Sequence, residues 1–127
     1  MSLFKRNIEN TIKNIIHSYK VLLLTGPRGI GKSTLLKHLA NVKKYTYVSL
    51  DDLMIRNLAL TDPTLFLQRY SPPVLIDDIQ YAPKLLSNIK RFLDKQDING
   101  SIWLTSSIRF PVLDDVNRIF DDQVGII

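Results

Sequence analysis

Phe4, Ile8, Ile12, Ile15 and Tyr19 recur at steps of four, four, three and four, with Ile16 beside them. That stripe predicts an amphipathic helix over residues 1–19. Val21, Leu22, Leu23 and Leu24 follow as a short apolar run before a Gly/Pro-rich stretch, the pattern of a strand buried on both faces. Leu35, Leu36 and Leu39 share one side of a helix over 34–40, and the aromatic and β-branched residues of 45–50 predict a second strand. Asp51 and Asp52 then suit the cap of a short helix through Leu60. Pro63 stands at the first position of another helix, ending near Tyr70.

Pro72-Pro73 breaks the chain, and Val74, Leu75 and Ile76 form a third buried strand ending at Asp77-Asp78. Pro83 opens a helix whose Leu85, Leu86, Ile89, Phe92 and Leu93 keep helical spacing up to Asn99-Gly100. Residues 101–105 predict a fourth strand, Val112, Leu113, Val116, Ile119 and Phe120 a last helix, and 124–127 a fifth strand. Strands alternating with helices predict an α/β fold: a mostly parallel sheet of about five strands, helices on both faces. Ligands of such sheets bind at the carboxyl ends of the strands.

Composition narrows the classes. At 127 residues with 45% hydrophobic and 23% charged positions, a single globular domain over 1–127 is expected. The chain has no cysteine, which excludes disulfides, zinc–thiolate sites, iron–sulfur clusters and thiol nucleophiles. The longest aliphatic run, residues 21–24, is too short to span a bilayer. Polar residues behind Lys5 and Arg6 interrupt any secretion signal, so a cytoplasmic location without membrane contact is expected. The net charge of +5 is uneven. Residues 1–50 carry nine basic side chains and one acid, residues 51–127 eight basic and eleven acidic. A basic first half suits a polyanion such as a nucleotide or nucleic acid, and equally a solvated basic face.

The candidate chemistry sits just after strands. Gly26, Pro27, Arg28, Gly29, Ile30, Gly31, Lys32 and Ser33 fit G-x-x-x-x-G-K-[ST] at every fixed position. Glycines let backbone N–H groups turn inward as a nest for phosphate oxygens, and the next helix adds its N-terminal dipole. Lys32 would reach the β- and γ-phosphates and the Ser33 hydroxyl would ligate Mg²⁺. Arg28 suits solvent as well as phosphate. Asp77 ends the third strand in the Walker B manner, ordering Mg²⁺. Taken alone it suits a turn acid equally well. Thr105 and Ser106 at the end of the fourth strand either touch the γ-phosphate and attacking water or satisfy their own backbone in a turn. Arg109 and Arg118 offer positive charge, or surface ion pairs of little worth.

The run from Leu23 through Leu36, which includes Thr34 in the nucleotide-binding set, resembles the first motif of the prokaryotic AAA-like P-loop ATPases. In that family the ATPase domain usually precedes a nuclease-like C-terminal domain. Val48-Ser49-Leu50-Asp51-Asp52 is similar to the family's second strand. Ile76-Asp77-Asp78-Ile79-Gln80 with Pro83 resembles its Walker B strand and following helix. Trp103-Leu104-Thr105-Ser106-Ser107 resembles its sensor strand. The resemblance spans roughly 20–127. It implies a P-loop NTPase three-layer sandwich preceded by an N-terminal helix, with ATP and Mg²⁺ as ligands and self-association as a family habit.

Four departures shape the functional expectation. The residue after the Walker B aspartate is normally Glu, which orients and deprotonates the attacking water, and here it is Asp78. The sensor glycine is Ser106, and Asp121-Asp122-Gln123 stands where the family often has a Gly-Arg pair. The sequence also stops where a lid or second domain is expected to begin. The resemblance therefore implies an ATP-binding domain with slow or partner-dependent hydrolysis, using Asp78, Lys32, Thr105, Ser106 and Arg109. The alternative is a nucleotide-responsive module that does not turn over and acts on a protein or DNA partner. A small-molecule kinase ranks last, because no basic lid lies between the third and fourth strands.

Overall fold

A computed structural model of the protein describes residues 3–25, 32–95, 98–106 and 110–127. Its elements alternate as α1 (Leu3–Ser18), β1 (Val21–Thr25), α2 (Lys32–Val42), β2 (Thr46–Ser49), α3 (Leu53–Thr61), α4 (Pro63–Arg69), β3 (Val74–Asp77), α5 (Leu85–Asp94), β4 (Ile102–Ser106), α6 (Phe110–Phe120) and β5 (Val124–Ile126). The strands form one sheet in the order β2-β3-β4-β1-β5, every neighbour parallel. This is the expected α/β fold with five strands.

Both faces of the sheet are covered, as a parallel sheet requires. Alternate residues serve opposite layers. Val21, Leu23, Val48, Val74, Ile76, Ile102 and Leu104 pack with Ala59, Phe66, Leu85, Ile89, Val116 and Phe120 from α3 to α6. Leu22, Leu24, Leu75 and Trp103 pack with Ile12, Ile15, Leu36 and Ala40 from α1 and α2. All five residues of β4 are buried. Each fully buried large aliphatic side chain contributes roughly 1.5–3 kcal/mol, so these layers dominate the stability.

Local chemistry sets the element ends. Asp52 caps α3, its Oδ1 accepting from the Met54 and Ile55 N–H groups at 2.9 and 3.3 Å. Asp62 caps α4 through the Leu65 N–H at 3.1 Å, with Pro63 in the first turn. Asp51 does not cap; its N–H donates to Ser49 Oγ at 3.1 Å. Pro83 does not open α5 either. The Leu85 and Leu86 N–H groups reach back to the carbonyls of Ala82 and Pro83 at 3.0 and 3.1 Å, so a tighter turn precedes the helix. β4 runs one residue beyond 105, because Ser106 pairs in register with Thr25. The second strand is shorter than residues 45–50. Two 3₁₀ turns, Ile79–Tyr81 and Asp121–Gln123, carry no hydrophobic period and were not foreseeable from it.

Helix α1 is seated by two glycines. Gly100 has φ of 72°, and a Cβ there would meet the Ile16 carbonyl oxygen at 2.7 Å. Its N–H donates to the Tyr19 carbonyl at 2.8 Å, and its own carbonyl accepts from the Tyr45 hydroxyl at 2.6 Å and Trp103 Nε1 at 3.0 Å. The Tyr45 and Trp103 rings pack with centroids 4.3 Å apart. At Gly125 a Cβ would lie 2.5 Å from Ile15 Cγ2 and 2.9 Å from Tyr19 Cδ2.

Because β-branched Ile15 cannot swing aside cheaply, Gly125→Ala is expected to cost about 1–3 kcal/mol of stability through overpacking. Urea unfolding monitored at Trp103 measures it. Burial raises the Tyr45 phenol above its ordinary pKa. Its contribution is therefore complete below about pH 10, the unfolded value, and is lost as pH rises through the higher folded value. Tyr45→Phe should cost about 1 kcal/mol at neutral pH and shallow the alkaline decline in melting temperature.

Candidate nucleotide site

The chain leaves β1 at Thr25 and enters α2 at Lys32, placing a helix N-terminus at the carboxyl end of a central strand. Gly26, Pro27, Arg28, Gly29, Ile30 and Gly31 lie outside the described residues, as do the Lys32 side chain and Arg109. Ser33 is half-buried in the first turn of α2, and Thr34 is exposed. Thr25 is fixed against the end of β5, its N–H and hydroxyl donating to the Ile127 carbonyl at 3.1 and 3.3 Å.

Asp77 ends β3 and stands where three other elements converge. Its Oδ1 accepts from the Thr105 hydroxyl at the end of β4. Its Oδ2 accepts from the Tyr47 phenol of β2 at 2.8 Å, and Lys37 Nζ of α2 is 3.6 Å from the same oxygen. That ammonium also lies 5.2 Å from the centre of the Tyr47 ring, within cation–π range. Desolvation pulls the Lys37 pKa down, but the Tyr47 and Asp77 contacts outweigh it and the net shift is upward. The Tyr47 phenol is also raised, first by burial and then by its hydrogen bond to Asp77, against an opposing pull from Lys37.

Thr105 binds two partners at once. Its oxygen accepts the Asp78 N–H at 2.9 Å while its proton goes to Asp77. Asp78 is buried and left-handed, with φ of 62° and ψ of 50°. Among residues other than glycine, aspartate and asparagine tolerate that conformation best. It turns the chain sharply into the 3₁₀ segment, and Asp78 Oδ1 accepts from Gln80 Nε2 at 3.3 Å. The Arg56 guanidinium stacks 3.9 Å from the Tyr81 ring centre, and its Nε donates to the Leu50 carbonyl at 2.9 Å. That pair ties the end of β2 to the turn after β3. Ser106 is buried beside Thr25.

The fold thus brings Asp77, Asp78, Thr105 and Ser106 to the strand ends beside α2. Arg118 is not among them: it is exposed on α6 and ion-paired with Asp115 at 2.9 Å. Tyr47 and Lys37 were missed in the sequence. Lys37 lies four residues after Ser33, hence on the same face of α2. Tyr47 lies two before Ser49, whose register partner is Asp77, so the pleat puts both on one face.

The donor set fits a hard divalent cation such as Mg²⁺. Asp77 and Ser33 offer oxygen, and Asp77 already draws a cationic group to one of its oxygens. Among the described residues no group of three His, Cys, Asp or Glu side chains is placed to hold a metal ion. No helix among the described residues is long and apolar enough to cross a membrane.

No curated protein matches the sequence. Among solved structures, a DNA replication initiation factor is similar, with a TM-score of 0.54 at 20% identity over 96% of this chain and 44% of that one. PCH-2 of C. elegans gives 0.53 at 18% identity over 97% of this chain and 40% of that one. The chain spans less than half the length of either, and at such identities the likeness is one of fold. The family model described as an AAA domain matches residues 18–127, from the end of α1 through β5. With the G-x-x-x-x-G-K-S run between β1 and α2, Asp77 at the end of β3 on the far side of β4, and the family model covering most of its length, the chain belongs to the AAA domain family, an AAA-like P-loop domain of the nucleotide-binding ATPase type.

Proposed function

We propose that the chain binds ATP with Mg²⁺ and hydrolyses it slowly, or only when a second subunit or partner completes the site. The observation that carries this reading is the convergence at Asp77, where the metal-ordering carboxylate is held by the Thr105 hydroxyl beside the β1–α2 junction. Ser33 and Asp77 would hold the metal, and Gly26, Gly29, Gly31, Lys32 and Thr34 the phosphates. Bound Mg²⁺ supplies neutralisation of phosphate charge. In hydrolysis, water attacks the γ-phosphorus, the bond to the β–γ bridging oxygen breaks, and ADP and inorganic phosphate leave.

Asp78 is the candidate to accept the proton of the attacking water. Two features support slow turnover. Its side chain is one methylene shorter than the family's glutamate, and Oδ1 is engaged by Gln80. Displacements of about 1 Å at a reacting group cost on the order of 10²-fold in rate. Thr105 acts through Asp77 and the Asp78 backbone, as a positioning residue. Positive charge for the γ-phosphate would come from Arg109 or another subunit. The same engagement of Asp78 favours, as a second reading, a nucleotide-responsive switch that binds without turnover. Multiple-turnover phosphate release separates the two.

Lys32→Ala should remove most of the thermal shift produced by MgATP while leaving the far-ultraviolet circular dichroism unchanged. A wild-type shift in this variant overturns the phosphate site. Asp78→Asn keeps a residue at ease in the left-handed region, so its melting temperature should stay near wild type while phosphate release falls. Asp78→Glu should raise release by restoring reach, yet lose about 1 kcal/mol of stability at that backbone position. Equal turnover in wild type and both variants would remove Asp78 from the base role.

A further inference from the structure

Asp77 has more partners than a metal-ordering carboxylate needs, and one of them is a cation. Thr105 and Tyr47 are neutral donors. Each occupies one lone pair, and a carboxylate oxygen has two, so both can stay when a cation binds. Lys37 differs, because its charge has the same sign as a metal ion's and it faces the same Oδ2. Its side chain is 50% exposed while that of Asp77 is 13% exposed, so the lysine has solvent to withdraw into and the carboxylate does not. The Tyr47 ring offers its face to the ammonium as a second favourable station close by.

Resting on the nucleotide reading above, we propose that Lys37, braced by Tyr47, is an internal counter-ion of Asp77 that competes with the divalent cation and sets the concentration at which metal enters the site. In the nucleotide-free protein the ion pair, 3.6 Å between Lys37 Nζ and Oδ2, helps to hold the Asp77 carboxylate in place. On metal binding the ammonium yields the carboxylate. Lys37 is thus a positioning residue whose charge works against the metal, and its loss should tighten metal-dependent binding.

The test is binding of a fluorescent ATP analogue to the full chain, titrated with Mg²⁺ from a chelated start. Lys37→Met should lower the half-saturating Mg²⁺ by roughly three- to tenfold, the scale for removing one nearby charge at a half-exposed site. Binding in chelator should change less than twofold. Lys37→Arg keeps the charge and should titrate like wild type. An unchanged or higher Mg²⁺ midpoint in Lys37→Met overturns the proposal. A lower midpoint in both variants overturns it too, since charge would then not be the cause. If wild type binds the analogue equally with and without Mg²⁺, the metal reading of the site itself fails, and the counter-ion role falls with it.

Discussion

A parallel sheet leaves both of its faces apolar, and the whole architecture follows from having to cover them. The requirement is strictest at β4, which lies between β1 and β3 and is buried along its full length. Ile102 and Leu104 serve the layer built by α3 to α6, and Trp103 serves the layer built by α1 and α2. A strand so placed cannot end at random. Its register with β1 puts Thr105 opposite Leu24, and its other side puts the Thr105 hydroxyl on Asp77.

The site inherits its precision from that packing. Thr105 holds the Asp77 carboxylate with its proton and the Asp78 N–H with its oxygen, so one hydroxyl fixes the end of β3 and the start of the next turn. Asp78 can take the left-handed conformation because its short side chain tolerates it, and the chain then closes into the Ile79–Tyr81 turn under Arg56. The charge here is shared across elements: carboxylate on β3, phenol on β2, ammonium on α2. A short aspartate thus serves the backbone turn well.

The N-terminal helix shows the same economy of contact. Among the described residues, Gly100 and Gly125 are places where the backbone comes so near α1 that no side chain fits. The carbonyl of Gly100 gathers the Tyr45 hydroxyl and the Trp103 indole. One face of the core is thereby joined to the helix that covers it.

Sequence alone determined the order of strands and helices, because short continuous apolar runs, as at Leu22 and Leu75, and the 3.6-residue period, as at Ile89 and Val116, are local and strong signals. It also marked Asp77 and the G-x-x-x-x-G-K-S run, whose spacing encodes a backbone shape. It marked Asp52 as a cap, where the bonding is two and three residues away. It misplaced the start of α5, since a proline fixes its own φ but not the hydrogen bonds that follow. Only tertiary structure placed β4 between β1 and β3, because strand order depends on which faces must be buried together. For the same reason it alone revealed Lys37 and Tyr47 at Asp77. They lie 40 and 30 positions away in the chain, and only the coverage of one sheet face by α2 brings them to the same carboxylate.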